Sequence, residues 1–224
     1  MPRALLLDFY GTLVEEDGPI VAAIAAEIAR LAPGSAAHDV LSLWGRRFRE
    51  LCEASHGPGF LTQREIERRS LTEVLTHFGA SMEVEALCAQ LFARWQAPPL
   101  FPEVREVLAD VSLPICLVSN IDEGDLQAAL AHHGLRFQYL VTSEAVRAYK
   151  PRPEPFLRAL EMLGLGPSEV LHIGDGRSSD VPGARALGIP VAWVNRDGRA
   201  LPEGAPRPDF EWRDLRELRR VASG

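Results

Sequence analysis

Apolar positions along this chain follow two different periods, and the switch between them divides it. Residues 4–7, Ala-Leu-Leu-Leu, form a continuous apolar run that Asp8-Phe9-Tyr10-Gly11-Thr12 closes. A short unbroken run stopped by glycine reads as a strand buried on both faces of a parallel sheet. From residue 19 to about 96 the spacing becomes helical. Ile20, Ile24, Ile28 and Leu31 step by four and three, and Val40, Leu43, Phe48 and Leu51 mark a second helix. Residues 66–78 predict a third, with Thr62 and Glu65 as a capping box, and residues 84–95 a fourth. Nothing in this stretch reads as a strand, so it is a helical insert. Ala97-Pro98-Pro99 closes it as a stiff hinge.

Strands then alternate with helices. Residues 113–118, 139–141, 170–173 and 190–194 are apolar runs. Between them, residues 104–109, 126–132, 156–163 and 183–187 have helical character, and Gly134, Gly164 and Gly188 stop the last three. That rhythm predicts an α/β fold, a doubly wound parallel sheet. The expected organisation is an α/β core from residues 1–14 and 97–224, with an α-helical domain of residues 15–96 inserted. Residues 196–208, rich in Gly, Pro and Arg, read as loop, and 215–221 as a short surface helix.

The bulk numbers narrow the class. With 224 residues and 46% hydrophobic composition, the chain can bury a sizeable core. A net charge of −7 argues against nucleic acid or an anionic membrane as partner, though not against a small anionic substrate. Cys52, Cys88 and Cys116 are an odd number and widely spaced, which suggests neither a disulfide framework nor a zinc site. The first apolar run is too short for a signal segment, and no stretch is long enough to span a bilayer. The expectation is a cytoplasmic protein, monomer or homodimer, acting on a small molecule.

Chemistry concentrates at the ends of the strands, where open α/β sheets bind their ligands. Asp8 stands at the mouth of the first strand, shielded enough to act as a nucleophile. Ser119 and Asn120 end the second, and Lys150 follows the third in a loop stiffened by Pro151 and Pro153. Asp175 and Asp180 lie in the Gly-rich loop after the fourth. Two carboxylates facing a third on Asp8 repel one another. A divalent cation removes that repulsion, and an all-oxygen set without His or Cys favours magnesium.

In this order the groups resemble the four motifs of the haloacid dehalogenase-like hydrolases: Asp8 with Thr12, then Ser119, then Lys150 before a proline, then Gly174-Asp175 with Asp180. The resemblance implies a Rossmann-like core whose helical insert is a cap domain that chooses the substrate. It implies Asp8, Lys150 and Ser119 as the catalytic set, with Thr12, Tyr10 and Asn120 lining the substrate position. Mg2+ would be held by Asp8, the Tyr10 carbonyl, Asp175 and Asp180. The favoured activity is a magnesium-dependent phosphatase acting through an aspartyl-phosphate on Asp8.

One residue departs from the phosphatase pattern. Two positions after the nucleophile, where those enzymes carry an acid/base Asp, this chain has Tyr10. A phenol with a pKa of about 10 replaces that acid poorly. Tyrosine there resembles the L-2-haloacid dehalogenase branch, in which Asp8 would attack carbon and form an ester without a metal. Arg46 and Arg47 faintly resemble that branch's cap arginines, although a solvated helix face is the better reading of them and of Arg49. Asp175 points back to a cation. A third possibility is a catalytically weak binding or regulatory protein. His172 reads as a core or interface residue, and Arg177 has no assigned task.

Overall fold

The computed structural model describes residues 1–222. Its centre is a six-stranded parallel sheet. The strands are β1 (Ala4–Leu7), β2 (Ile115–Ser119), β3 (Tyr139–Thr142), β4 (Val170–Gly174), β5 (Val191–Val194) and β6 (Phe210–Trp212). They lie in the order β3-β2-β1-β4-β5-β6. The chain builds outward from β1 on one side and then from β4 on the other. The order therefore reverses between β1 and β4, and a crevice opens at their carboxyl ends.

The pleat sorts side chains by parity. Leu5 and Leu7 join Leu117, Leu171 and Ile173 in the core on one face. Ala4 and Leu6 join Cys116, Val118 and Trp193 on the other. Four helices follow β1: α1 (Gly18–Leu31), α2 (Ala37–Ala54), α3 (Gln63–Phe78) and α4 (Val84–Gln96). Ile28, Val40, Leu71 and Leu91 are buried among them. The remaining helices are α5 (Val104–Asp110), α6 (Glu123–His133), α7 (Ser143–Val146), α8 (Glu154–Leu163), α9 (Asp180–Ala186) and α10 (Arg219–Ala222). α5 and α6 cover the first face, through Val107 and Leu126. α8 and α9 cover the second, through Phe156 and Val181. This is the α/β fold with a helical cap inserted after β1. Among the described residues no helix is long and apolar enough to cross a membrane.

Some elements differ from the sequence expectation. α6, α8 and α9 begin two or three residues early, because Glu123, Glu154 and Asp180 favour the positive end of a helix although they add no apolar period. β6 is an unforeseen strand. It is three residues long with two of them exposed, too short to show a period. The expected surface helix at 215–221 is a 3-10 turn, Leu215–Leu218, running into α10. It is not a surface element, since Leu215 and Leu218 are fully buried.

The cap is tied to the core by polar contacts as well as by the hinge. Asp122, just before α6, accepts from the Gln63 and Arg64 amides at 2.7 and 3.0 Å. A core carboxylate thus satisfies the first free N–H groups of a cap helix. The Arg64 guanidinium donates to buried Asp125, and the Tyr149 hydroxyl donates to the Leu61 carbonyl at 2.9 Å. Replacing Asp122 with Ala strands two donors at the cap–core seam, which costs about 1–2 kcal/mol. The expected outcome is a melting temperature lowered by several degrees and faster proteolysis near residues 55–62, with Asp122→Asn intermediate. Unchanged melting and cleavage in Asp122→Ala would show that the seam does not depend on this residue.

Candidate active site

The crevice at the carboxyl ends of β1 and β4 is a cleft of 310 Å³ between core and cap. Asp8, Ser119, Lys150, Asp175 and Asp180 all line it, together with Tyr10 and Asn120. Their placement follows from register. Leu7 pairs with both Leu117 and Ile173, so β1, β2 and β4 end within two residues of one another and the groups at their carboxyl ends meet.

Lys150 sits at the middle and is 4% exposed. Its Nζ donates to Asp8 Oδ1, Asp180 Oδ1 and the Val118 carbonyl, each at 2.7 Å. An ammonium has three N–H donors, and all three are used. Burial alone would lower the lysine's pKa, but Asp180 and Asp8 outweigh it and hold the group charged. Asn120 clamps the Lys150 backbone from both sides. Its Oδ1 accepts from the Lys150 amide at 2.7 Å, and its Nδ2 donates to the Lys150 carbonyl at 3.1 Å. Its amide is thereby engaged in holding the lysine loop.

The carboxylates differ in environment. Oxygens of Asp8, Asp175 and Asp180 lie within 4.8 Å of one another. Burial, reinforced by the charges of Asp180 and Asp175, pushes Asp8 up to about 7 against the pull of Lys150. Burial and the charges of Glu16 and Asp180 likewise push Asp175 up to about 7, with Arg199 opposing. Asp180 goes the other way. Burial would raise it, but Lys150 and His172 hold it well below the usual carboxylate range. His172 is fully buried in β4 and places Nε2 2.8 Å from Asp180 Oδ1, while the Gly176 amide donates to Asp180 Oδ2 at 2.8 Å. Asp180 thus has partners on both oxygens and anchors the lysine. Asp8 Oδ2 and Asp175 Oδ1 accept no hydrogen bond among the described residues. Two such oxygens in an all-carboxylate set suit a hard divalent cation.

Two glycines make room for these acids. Gly11 has φ +79°, and a Cβ there would overlap the Asp175 carboxylate. A Cβ on Gly174 would overlap that of Asp180.

Other expected residues sit differently. Tyr10 lines the cleft, but its hydroxyl donates to the Trp95 carbonyl at the end of α4, at 2.6 Å. Burial and then the charge of Asp125 push the phenol far above its ordinary value, so it holds its proton. Thr12 is fully buried, does not line the cleft, and leaves Oγ1 without a partner among the described residues. Arg46 lies on the outer side of the cap, and Arg47 pairs with Glu50 and Glu73. Arg49, also exposed, borders a second pocket of 310 Å³ with Trp44, Phe48 and Trp95. Arg177 donates to the Ala200 carbonyl at 3.1 Å. Sequence reading missed Glu16 and Arg199, which both line the cleft. Each lies in a loop without a period, and only its charge marked it.

The chain matches the family of haloacid dehalogenase-like hydrolases over residues 2–188. It is 27% identical to an (S)-2-haloacid dehalogenase of Pseudomonas sp. (strain YL), over 99% of this chain and 96% of that protein. It is 32% identical to the phosphoserine phosphatase of Thermus thermophilus, over 80% of this chain and 67% of that one. The solved L-2-haloacid dehalogenase of Xanthobacter autotrophicus shares the fold, with a TM-score of 0.78 and 24% identity over 100% of this chain and 99% of that one.

The raised carboxylates set a pH dependence. A group whose folded pKa exceeds its unfolded value binds extra protons in the folded state, so stability falls as pH rises between the two. For Asp175 that window runs from 3.8 to about 7. In EDTA, Asp175→Asn is expected to be more stable than the natural chain at pH 8, by on the order of 2 kcal/mol, with the gap closing toward pH 5. Thermal melts across that range check it, and a gap that widens toward acid would contradict the assignment.

Proposed function

The chain belongs to the haloacid dehalogenase-like hydrolases, and within that family we propose that it is a magnesium-dependent phosphatase of a small phosphorylated metabolite. The observation that carries this reading is the buried cluster of Asp8, Asp175 and Asp180, with carboxylate oxygens within 4.8 Å of one another. An anionic substrate meets net repulsion there unless a cation joins it. Asp8, Asp175 and the Tyr10 carbonyl would hold magnesium, with Asp180 beside it. Bound there, the ion would offset repulsion between the nucleophile and the phosphoryl oxygens.

The residues of the chain divide the remaining work. The Asp8 carboxylate attacks phosphorus in line, the bond to the leaving oxygen breaks, and water then hydrolyses the aspartyl-phosphate. Lys150 favours the ionised form of Asp8 and orients it through a 2.7 Å bond. Ser119, in the same cleft, donates to a phosphoryl oxygen. Tyr10 cannot protonate the leaving group, because its proton is committed to Trp95. The enzyme should therefore favour substrates whose leaving group needs no acid. The cap supplies selectivity through Phe48 and Gln63, which line both cavities.

A second reading has its own support. Tyr10 and the full-length resemblance to a haloacid dehalogenase favour attack of Asp8 on the carbon of a small L-2-haloacid, with loss of halide and a carboxyl ester as intermediate. The relatives lean this way more than the carboxylates do.

One assay separates the readings. Phosphate release from p-nitrophenyl phosphate should require magnesium, stop in EDTA, and fall at least about 10³-fold in Asp8→Asn. Halide release from L-2-chloropropionate that survives EDTA would establish the second reading and remove the first. In addition, Tyr10→Asp should raise turnover most for alkyl phosphates, whose leaving groups are poor, by about tenfold or more relative to p-nitrophenyl phosphate. Equal effects on both substrates would dismiss this account of Tyr10.

A further inference from the structure

Arg199 belongs to none of the motifs, yet it reaches the centre of the cleft. Its Nη2 donates to Asp175 Oδ2 at 3.1 Å and to the Asp175 carbonyl at 3.2 Å. The loop that delivers it is built for the purpose. Asn195, 3% exposed just after β5, accepts from the Arg199 amide at 2.8 Å and donates to the Arg199 carbonyl at 3.0 Å. A second anchor comes from β6, where Glu211 accepts from the Asn195 side chain.

The guanidinium is well placed but loosely held. Only one of its nitrogens meets the carboxylate, and the Nε is buried without a partner. The side chain is still 35% exposed. A fork-to-fork arginine–carboxylate pair would use both arms and resist exchange, whereas a single-armed, half-solvated contact exchanges at small cost. The partner oxygens belong to the carboxylate that a cation would share.

We propose that Arg199 is a displaceable counter-ion of Asp175. It offsets part of the Asp175 charge when no cation is bound, competes with a divalent cation for that carboxylate, and once displaced presents its guanidinium to the anionic group of the substrate. The inference rests on the Asp8–Asp175 cleft being the reaction site. It makes Arg199 a positioning residue for the free site and a substrate contact for the loaded one.

The test is magnesium titration of the natural chain, Arg199→Ala, Arg199→Gln and Arg199→Lys, each checked for folding by circular dichroism. Binding is read by calorimetry and by intrinsic tryptophan fluorescence, to which Trp193 contributes through its Nε1 bond to the Asp175 carbonyl at 2.9 Å. Loss of the competitor should tighten magnesium binding about three- to tenfold in the Ala and Gln variants, with Lys close to the natural chain. Unchanged or weaker binding overturns the proposal. Binding by the variants but not by the natural chain supports it and removes the magnesium reading of the function. Equal binding by all four keeps that reading and removes Arg199 from it, and no binding by any removes both. With saturating magnesium, orthophosphate should bind several-fold more weakly to Arg199→Ala. An unchanged phosphate affinity would overturn the substrate contact.

Discussion

A single buried ammonium organises the site. Bringing a charged lysine into the interior is costly, and the cost is offset only where every donor is satisfied and opposite charge stands close. Lys150 meets that condition by drawing on three separate parts of the fold: Asp8 beyond β1, the Val118 carbonyl of β2 and Asp180 at the start of α9. The sheet order is what brings these together, since β1 lies between β2 and β4. The dependence runs both ways. Without the lysine, Asp8 and Asp180 would face each other uncompensated, and without those acids the lysine would lose its charge. His172 and the Gly176 amide extend the network by holding Asp180, and Asn120 does so by clamping the lysine loop.

Much of this was legible in the sequence, for a physical reason. A strand buried on both faces must be apolar throughout, so a polar group at its end stands out. Asp8, Ser119 and Asp175 were each marked this way, and Lys150 by the prolines that follow it. The cap helices were legible because each must hide one stripe. What escaped notice lacked a period. β6 is half exposed and three residues long. Glu16 and Arg199 sit in loops, where an exposed charge is the ordinary case and nothing local says which way it points. His172 read as a core residue from its neighbours in β4. Its burial fits that reading, but its hydrogen bond to Asp180 gives it a part in the charged network that strand periodicity cannot express. Arg46 and Arg47 drew attention by their faint resemblance to the dehalogenase cap arginines, yet both face outward, whereas Arg49 borders the second pocket.

Tyr10 looked like the residue that decides the chemistry. Its geometry gives it a different weight. The hydroxyl is tied to the Trp95 carbonyl at the last turn of α4, and the ring packs edge-on against Phe9 at 5.0 Å. It therefore fastens the loop after Asp8 to the cap at the place where the chain passes back into the core. That task is compatible with attack on phosphorus or on carbon, so Tyr10 excludes efficient acid catalysis without selecting an electrophile.

Selection falls to the charge balance of the cleft. Lys150 is already committed to Asp8 and Asp180, and Arg199 offsets only Asp175, while Glu16 adds a further acid at the rim. A phosphate monoester brings up to about two negative charges, roughly twice what a haloacid carboxylate brings. The phosphate therefore cannot be accommodated by the two cationic side chains alone, whereas a monoanion comes closer to balance with Arg199 in place. The two chemistries thus share a nucleophile, a lysine and a fold, and they part at the cation beside Asp175. An arginine held there by one arm leaves that position open to exchange, and on the proposed reading the cation that occupies it would decide what Asp8 attacks.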